Sequence, residues 1–414
     1  MNKKTSRTHL FSLLPLYSVT FIGFIGYSLM LTLFTPLMMD PNNGFIAASA
    51  DLSVRVIILG VLLALYPFGQ FFGSPIMGAL SDHFGRKGVL IISLCVTTLC
   101  YLLIAFALVE KNLILLMIGS LIAGLSEANI VITQSAIADV SDPKDRSRLF
   151  GYICLSASAS YIVGPLLGGK LAAYNLVLPF WCVIALLIIT ILWTWWVFHE
   201  TKPPSEGKIN YLRTFINLTQ IFTHKRLRIY YLVNFLIYLA IFGFFRSYPM
   251  YLVNEFNMNV SRLSEFIAWV AVPIILSNIV LTGWAAKYFS PKRITITSAI
   301  ATGIFMLIII IPNRENALWI TLFLTGLALA LCLPACSALL SMTASESEQG
   351  SAMGNNQAMS AGAEAISGLV GGLLAAWFIK FPLIVMGILA IIAGIILLFV
   401  KPKSSLDRRS RRYN

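Results

Sequence analysis

Charge is scarce in this sequence. Only 11% of its 414 residues are Asp, Glu, Lys or Arg, 58% are hydrophobic, and mean hydropathy is +0.83. A soluble globular fold needs far more charge to cover its surface, so that class is excluded. Cysteine is equally uninformative as a framework. Cys95, Cys100, Cys154, Cys182, Cys332 and Cys336 lie in apolar stretches with no CxxC pair, which excludes a disulfide scaffold or zinc site and leaves small hydrophobes. The four histidines (His9, His83, His199, His224) fall at the edges of apolar runs, so none is available inside a membrane to relay protons. HExxH, GxSxG and GxxxxGK[ST] are missing, and the close aspartate pair Asp142 and Asp145 sits in a basic loop. No metal, no cofactor and no enzymatic activity is expected.

What the sequence has is apolar runs of roughly 20 residues, the length that crosses a hydrocarbon core of about 30 Å. Twelve spans read as 12–38, 54–79, 88–109, 112–139, 148–172, 177–198, 229–253, 262–285, 294–311, 316–342, 350–378 and 382–400. The run from Phe11 to Met39 is too long for a signal h-region and lacks a small-residue cleavage site, so it reads as the first span. Of the 30 Lys and Arg, 23 fall in alternate loops; Arg55, Lys111, Lys170, Arg246, Arg262, Arg314 and Lys380 are scattered elsewhere. This is the positive-inside bias. It predicts a multi-pass inner-membrane protein with both termini cytoplasmic, the net charge of +13 facing anionic lipid heads rather than nucleic acid.

The longest loop, 199–228, carries Pro203, Pro204 and six basic residues, with apolar residues at helical spacing over 208–223. It reads as a linker with an amphipathic helix on the cytoplasmic surface. It separates a six-helix bundle over 1–198 from another over 229–400, with a basic tail over 401–414. The halves echo each other. Gly78-Ala-Leu-Ser-Asp-His-Phe-Gly-Arg-Lys87 returns, degraded, as Gly283-Trp-Ala-Ala-Lys-Tyr-Phe-Ser-Pro-Lys292. Ala123-Gly-Leu-Ser-Glu127 followed by Gln134-Ser-Ala136 matches Thr325-Gly-Leu-Ala-Leu329 followed by Cys336-Ser-Ala338. Repeated halves around a central cavity are a transporter architecture.

The loop after the second span, with Gly78, Leu80, Asp82, Gly85, Arg86 and Lys87, resembles motif A of the major facilitator superfamily. Gly78 would permit close helix contact and Gly85 a turn with positive φ. Asp82 and Arg86 supply paired charges, and Asp139 ends span 4 on the same side, within reach of Arg86. The resemblance implies a cytoplasmic latch of Gly78, Asp82, Gly85, Arg86 and Asp139. Gly164-Pro165-Leu-Leu-Gly168-Gly169 in span 5 resembles motif C of the superfamily's drug:proton antiporters, with a proline that bends the span and glycines that let helices pack. Gly368, Gly371 and Gly372 give span 11 a similar smooth face. With Ala138-Asp139, Arg146, Arg148, Gly151 and His199-Glu-Thr201, the likeness covers nearly the whole chain and is strongest to the twelve-span, tetracycline-resistance-like branch. The expected fold is therefore all-α, twelve transmembrane helices in two pseudo-symmetric bundles. The departures are Ser120, where that branch has an arginine four residues before Gly124, and a first span without an acidic residue.

Charges deep in a membrane cost at least ~2.5–3.5 kcal/mol each and are functional by default. Three qualify: Glu127 in span 4, Arg246 in span 7 and Glu364 in span 11, all on helices that line the cavity in this superfamily. A carboxylate there is disfavoured by desolvation and favoured by a nearby arginine, and opening the cavity changes both terms. Glu127 or Glu364 is expected to bind the transported proton, with Arg246 tuning it or meeting an anionic part of the substrate. Tyr66, Gln70, Asn129, Gln134, Tyr238, Asn278, Asn356 and Gln357 would complete a mixed pocket. Glu265, Arg55 and Arg262 lie near outer helix ends, where snorkelling accounts for them. The leading expectation is a monomeric, proton-coupled exporter of a small organic molecule such as a drug, its partners being substrate, protons and lipid. The alternative is an uptake symporter for an anionic metabolite or carboxylate siderophore.

Overall fold

The computed structural model describes residues 3–141, 143–203, 227–344 and 349–400. The predicted amphipathic helix over 208–223 and the basic tail over 401–414 lie outside the described residues. Every regular element among the described residues is a helix. The first six spans are Lys3–Met39, Leu52–Phe84, Arg86–Val109, Leu113–Val140 (interrupted), Pro143–Ala172 and Leu178–Val197. The other six are Arg228–Phe256, Val260–Tyr288 (with a π turn), Pro291–Ile308, Glu315–Thr343, Gln349–Trp377 and Phe381–Phe399. Eleven of these segments are long and apolar enough to cross a membrane. Span 9, Pro291–Ile308, is the remaining one; it spends its first turn on Lys292 and Arg293. Span 1 begins and span 12 ends on one face, called here the terminal face, and the loops after the odd-numbered spans lie on the far face.

Two buried apolar cores form. One collects Leu16, Leu59, Leu90, Tyr101, Leu116 and Phe180 from the first six spans, the other Ile237, Phe244, Phe266, Leu322, Met386 and Leu397 from the last six. In lipid, apolar burial does little to hold helices together; close packing through small residues does more. Spans 2 and 4 meet this way. A Cβ on Gly69 would come within 2.8 Å of Leu125 N, and one on Gly124 within 2.7 Å of the Tyr66 carbonyl carbon. The halves are joined by the same device. A Cβ on Gly60 of span 2 would lie 2.7 Å from both Gly368 O and Gly372 Cα of span 11. Gly169 of span 5 sits against Ser264 and Val260 of span 8 with no room for a Cβ. Both joints lie on the far-face side of their spans. Toward the terminal face, a Cβ on Gly151 (span 5) or Gly354 (span 11) would meet nothing within 4 Å.

Three expectations need correction. Span 4 is not one helix: it stops at Ser126 and restarts at Ile130, leaving Glu127, Ala128 and Asn129 as a break. Span 8 passes through a π turn at Ser277–Leu281, one turn after Pro273, whose ring nitrogen cannot donate. Arg55 does not snorkel. It is 2% exposed and donates to the carbonyls of Asp40 (2.9 Å), Ala47 (2.7 Å) and Ala50 (3.2 Å), so it ties the far-face loop that follows span 1. Twelve residues, 40–51, form that loop, slightly fewer than the hydropathy pattern implied.

Candidate functional site

A cavity of about 320 Å³ lies between the halves, walled by spans 1, 5, 7, 8, 10 and 11. Its lining is aromatic, with Phe24, Tyr27, Tyr161, Phe242, Phe245 and Tyr248 around a single charged pair, Arg246 and Glu364. The size and the ratio of apolar wall to polar groups suit one small organic molecule.

Arg246 and Glu364 do not act alone. The Arg246 guanidinium reaches a Glu364 oxygen at 3.4 Å and donates to the Tyr27 hydroxyl at 2.7 Å; that hydroxyl donates to the same Glu364 oxygen at 2.5 Å. Tyr27 belongs to the first half and its two polar partners to the second, so these bonds cross the interface. Arg246 is 1% exposed, and its Nε has no partner among the described residues. The Glu364 side chain, 14% exposed, faces the cavity.

Glu127 forms a separate centre. It sits at the break in span 4, 4% exposed, where its Oε2 accepts from the hydroxyls of Tyr66 (2.7 Å) and Tyr101 (3.2 Å). Oε1 has no hydrogen-bond partner, and no cation among the described residues pairs with this carboxyl. Two glycines in span 1 make the room: a Cβ on Gly23 would lie 3.1 Å from Oε1, and Gly26 lies directly against the Tyr101 hydroxyl. Of the three membrane charges, then, Arg246 and Glu364 face each other and Glu127 faces neither. What links the centres is aromatic. Tyr27 stacks on Tyr66 with centroids 4.6 Å apart and planes 20° off parallel.

The remaining expected pocket residues scatter. Asn278 does line the cavity. Tyr66 serves Glu127 instead of the cavity wall. Tyr238 and Asn356 form a closed cluster inside the second half: the Asn356 amide nitrogen donates to Tyr238 Oη (2.6 Å) and its oxygen accepts from Asn234 (2.8 Å), with Ser337 alongside. Asn129 is buried at the span-4 break, Gln70 is half-buried, and Gln134 and Gln357 are exposed; none of these lines the cavity. Sequence reasoning missed Tyr27, Tyr101 and Tyr161. The available signal was the glycine pair Gly23 and Gly26, which clears space on the first span for Glu127 and Tyr101.

At the terminal face the charges after span 2 assemble as the spacing implied. Arg86, 4% exposed, bonds Asp139 at 3.0 Å, Asp82 at 2.8 Å and Ser81 Oγ at 2.7 Å. Gly85 adopts φ +96°, a backbone conformation a side chain would strain. Glu200 completes the turn by accepting from the backbone N–H groups of Arg86 (2.7 Å) and Lys87 (2.9 Å), and Lys202 meets Asp82 at 2.6 Å. Gly78 is less demanding than expected, since a Cβ there would find Val131 at an ordinary 3.5 Å. In span 5, by contrast, Gly164 lies against Ser28 and Ile25 of span 1, and Gly168 against Leu29, with no space for a side chain. Pro165 sits between them within the helix.

The profile of the Major Facilitator Superfamily matches residues 16–276 and again 230–412, so both halves carry it. The class H tetracycline resistance protein of Pasteurella multocida is 30% identical over 337 residues, covering 78% of this chain and 79% of that protein. The quinolone resistance protein NorA of Staphylococcus aureus is 24% identical over 355 residues, covering 85% and 89%. Among solved structures, the nucleoside transporter NupG superposes with a TM-score of 0.75 at 15% identity, over 94% of this chain and 99% of that one. The human organic anion transporter MFSD10 gives 0.69 at 19% identity, over 93% and 99%. This chain belongs to the Major Facilitator Superfamily: it is a multi-pass membrane transporter, not an enzyme, and a relative of the drug-efflux antiporters.

Proposed function

We propose that this transporter exports a small organic molecule in exchange for protons, with Glu127 as the proton-binding carboxyl. The observation that carries the reading is the environment of Glu127. A carboxylate enclosed among apolar side chains is costly unless something neutralises it. No described cation does so here, and two tyrosine hydroxyls supply donors to one oxygen only. A proton taken up when the site meets water is what remains to neutralise it. Glu364, already paired with Arg246, is the second candidate carboxyl and the one in contact with the cavity.

In this reading residues 1–198 and 229–400 rock against each other across the cavity, with 199–228 as the linker. Both termini lie in the cytoplasm and the chain sits in the inner membrane as a monomer among lipids. Asp82, Gly85, Arg86 and Asp139, with Gly78 at their edge, brace the cytoplasmic side. Gly164, Pro165, Gly168 and Gly169 let span 5 close against spans 1 and 8. The aromatic cavity suits flat, largely apolar compounds, and the likeness to tetracycline and quinolone resistance proteins supports drug-like cargo.

A second reading is uptake of an anionic compound together with a proton, favoured by Arg246 in the cavity wall. Purified protein in liposomes with a trapped pH dye separates the two. Tetracycline, a quinolone and simple carboxylates are added in turn, with Glu127→Gln alongside. Proton movement opposite to the compound, lost in Glu127→Gln, supports export. Movement in the same direction with carboxylates supports the second reading, and unchanged coupling in Glu127→Gln removes Glu127 from either.

A further inference from the structure

The two acidic centres are joined by one residue that neither the sequence pattern nor the proposed exchange requires. We propose that Tyr27 is a positioning residue that couples the cavity pair to the buried carboxyl: its hydroxyl holds Glu364 and Arg246 of the second half, and its ring holds Tyr66, which holds Glu127. The inference rests on Glu127 being the proton site, and it adds that Glu127 and Glu364 respond as one unit.

The geometry leads there by steps. Tyr27 Oη donates to Glu364 at 2.5 Å and accepts from Arg246 at 2.7 Å, and both bonds cross between the halves. Tyr66 and Tyr101 reach Glu127 at 2.7 and 3.2 Å, and those bonds stay within the first half. When the halves part at this joint, the crossing bonds break and the internal ones persist. The Tyr27 ring, stacked on Tyr66 at 4.6 Å and edge-on to Tyr161 at 6.4 Å, then loses the anchor that fixed its tilt. Tyr66 loses its backing on that face, so the better of the two donors to Glu127, though still bonded, is held most firmly while Glu364 is engaged. Conversely, a Glu364 that takes a proton releases the Tyr27 hydroxyl and frees the halves to move.

The groups facing each carboxyl are few. Around Glu364 they are Tyr27 from span 1, Tyr161 from span 5 and Arg246 from span 7. Around Glu127 they are Tyr66 from span 2 and both Cys100 and Tyr101 from span 3. Among the described residues Tyr27 alone bonds a group on one list and stacks on a group on the other.

The test needs no identified substrate. The full chain, with its six cysteines replaced, carries spin labels at Gly151→Cys and Gly354→Cys, where added side chains meet open space on opposite halves. Distances are measured in lipid nanodiscs across the pH range. The parent is expected to convert between two separations with one midpoint. Tyr27→Phe keeps the ring and both separations but moves the midpoint up by about one pH unit, a tenfold change in proton affinity from a lost charge-assisted hydrogen bond. Tyr27→Leu, which also removes the stack, moves it at least as far and broadens the transition. A Tyr27→Phe midpoint equal to the parent's overturns the coupling. If Glu127→Gln nevertheless flattens the response, the proton role of Glu127 survives and only the Tyr27 link is rejected. A parent that shows no response to pH overturns both.

Discussion

Placing a branched side chain at Gly60 acts on one conformation only. The Cβ of Gly60→Val would stand 2.7 Å from Gly368 O and Gly372 Cα and 3.1 Å from Gly372 N. All three are backbone atoms of a packed helix, so none can rotate aside as a side-chain tip would. Overpacking of this kind costs about 1–3 kcal/mol. Because the clash partner belongs to the other half, the cost falls only where the far-face joint is closed, and each half keeps its own packing. The equilibrium between the two faces should therefore shift about 5- to 150-fold against far-face closure. Labels at Gly151→Cys and Gly354→Cys read this as a shortened terminal-face separation. Gly88→Val is the control, since its Cβ meets nothing within 4 Å. An unchanged distance distribution in Gly60→Val, or the same shift in Gly88→Val, refutes the reasoning.

Other consequences follow from single contacts. Arg246→Ala leaves Glu364 uncompensated and should lower thermal stability more than the double variant Arg246→Ala/Glu364→Gln does, because removing one member of a buried pair is worse than removing both; equal losses would deny the pair its energetic role. Arg55→Ala strips donors from three loop carbonyls, at about 1–3 kcal/mol for buried groups left unsatisfied. Hydrogen exchange over residues 40–51 should then quicken while exchange elsewhere is unchanged. Glu200→Ala uncaps span 3 and should cost about 1 kcal/mol, read as a lower melting temperature that Glu200→Asp partly restores.

Much of the fold was legible because lipid leaves the chain few choices. Every backbone polar group must be satisfied within its own segment, so hydropathy located the spans to within a few residues: 177–198 was expected where Leu178–Val197 lies. The paired charges were legible as well, since Arg86 opens span 3 and Asp139 closes span 4 on the same face. The break at Glu127 was not legible. It depends on tyrosines from two other spans taking the side chain, and nothing local in Ala123-Gly-Leu-Ser-Glu127 separates a broken helix from a glycine-bearing one. The pocket was read too generously. Tyr238, Asn356 and Gln134 share a polar character, but span rotation decides whether each meets the cavity, a neighbour or solvent, and periodicity in uniformly apolar helices fixes that rotation weakly. Tyr27 escaped because a tyrosine in a membrane helix usually just packs; its significance lies in Glu364, 337 residues away.

The central claim is that Glu127 takes and releases a proton during the cycle. Infrared difference spectroscopy between low and high pH, on the full protein in lipid, tests it most directly. A protonated-carboxyl stretch that titrates in the parent, persists in Glu364→Gln and disappears in Glu127→Gln is the expected result. A band that remains in Glu127→Gln and titrates as before contradicts the claim and assigns the proton to another carboxyl.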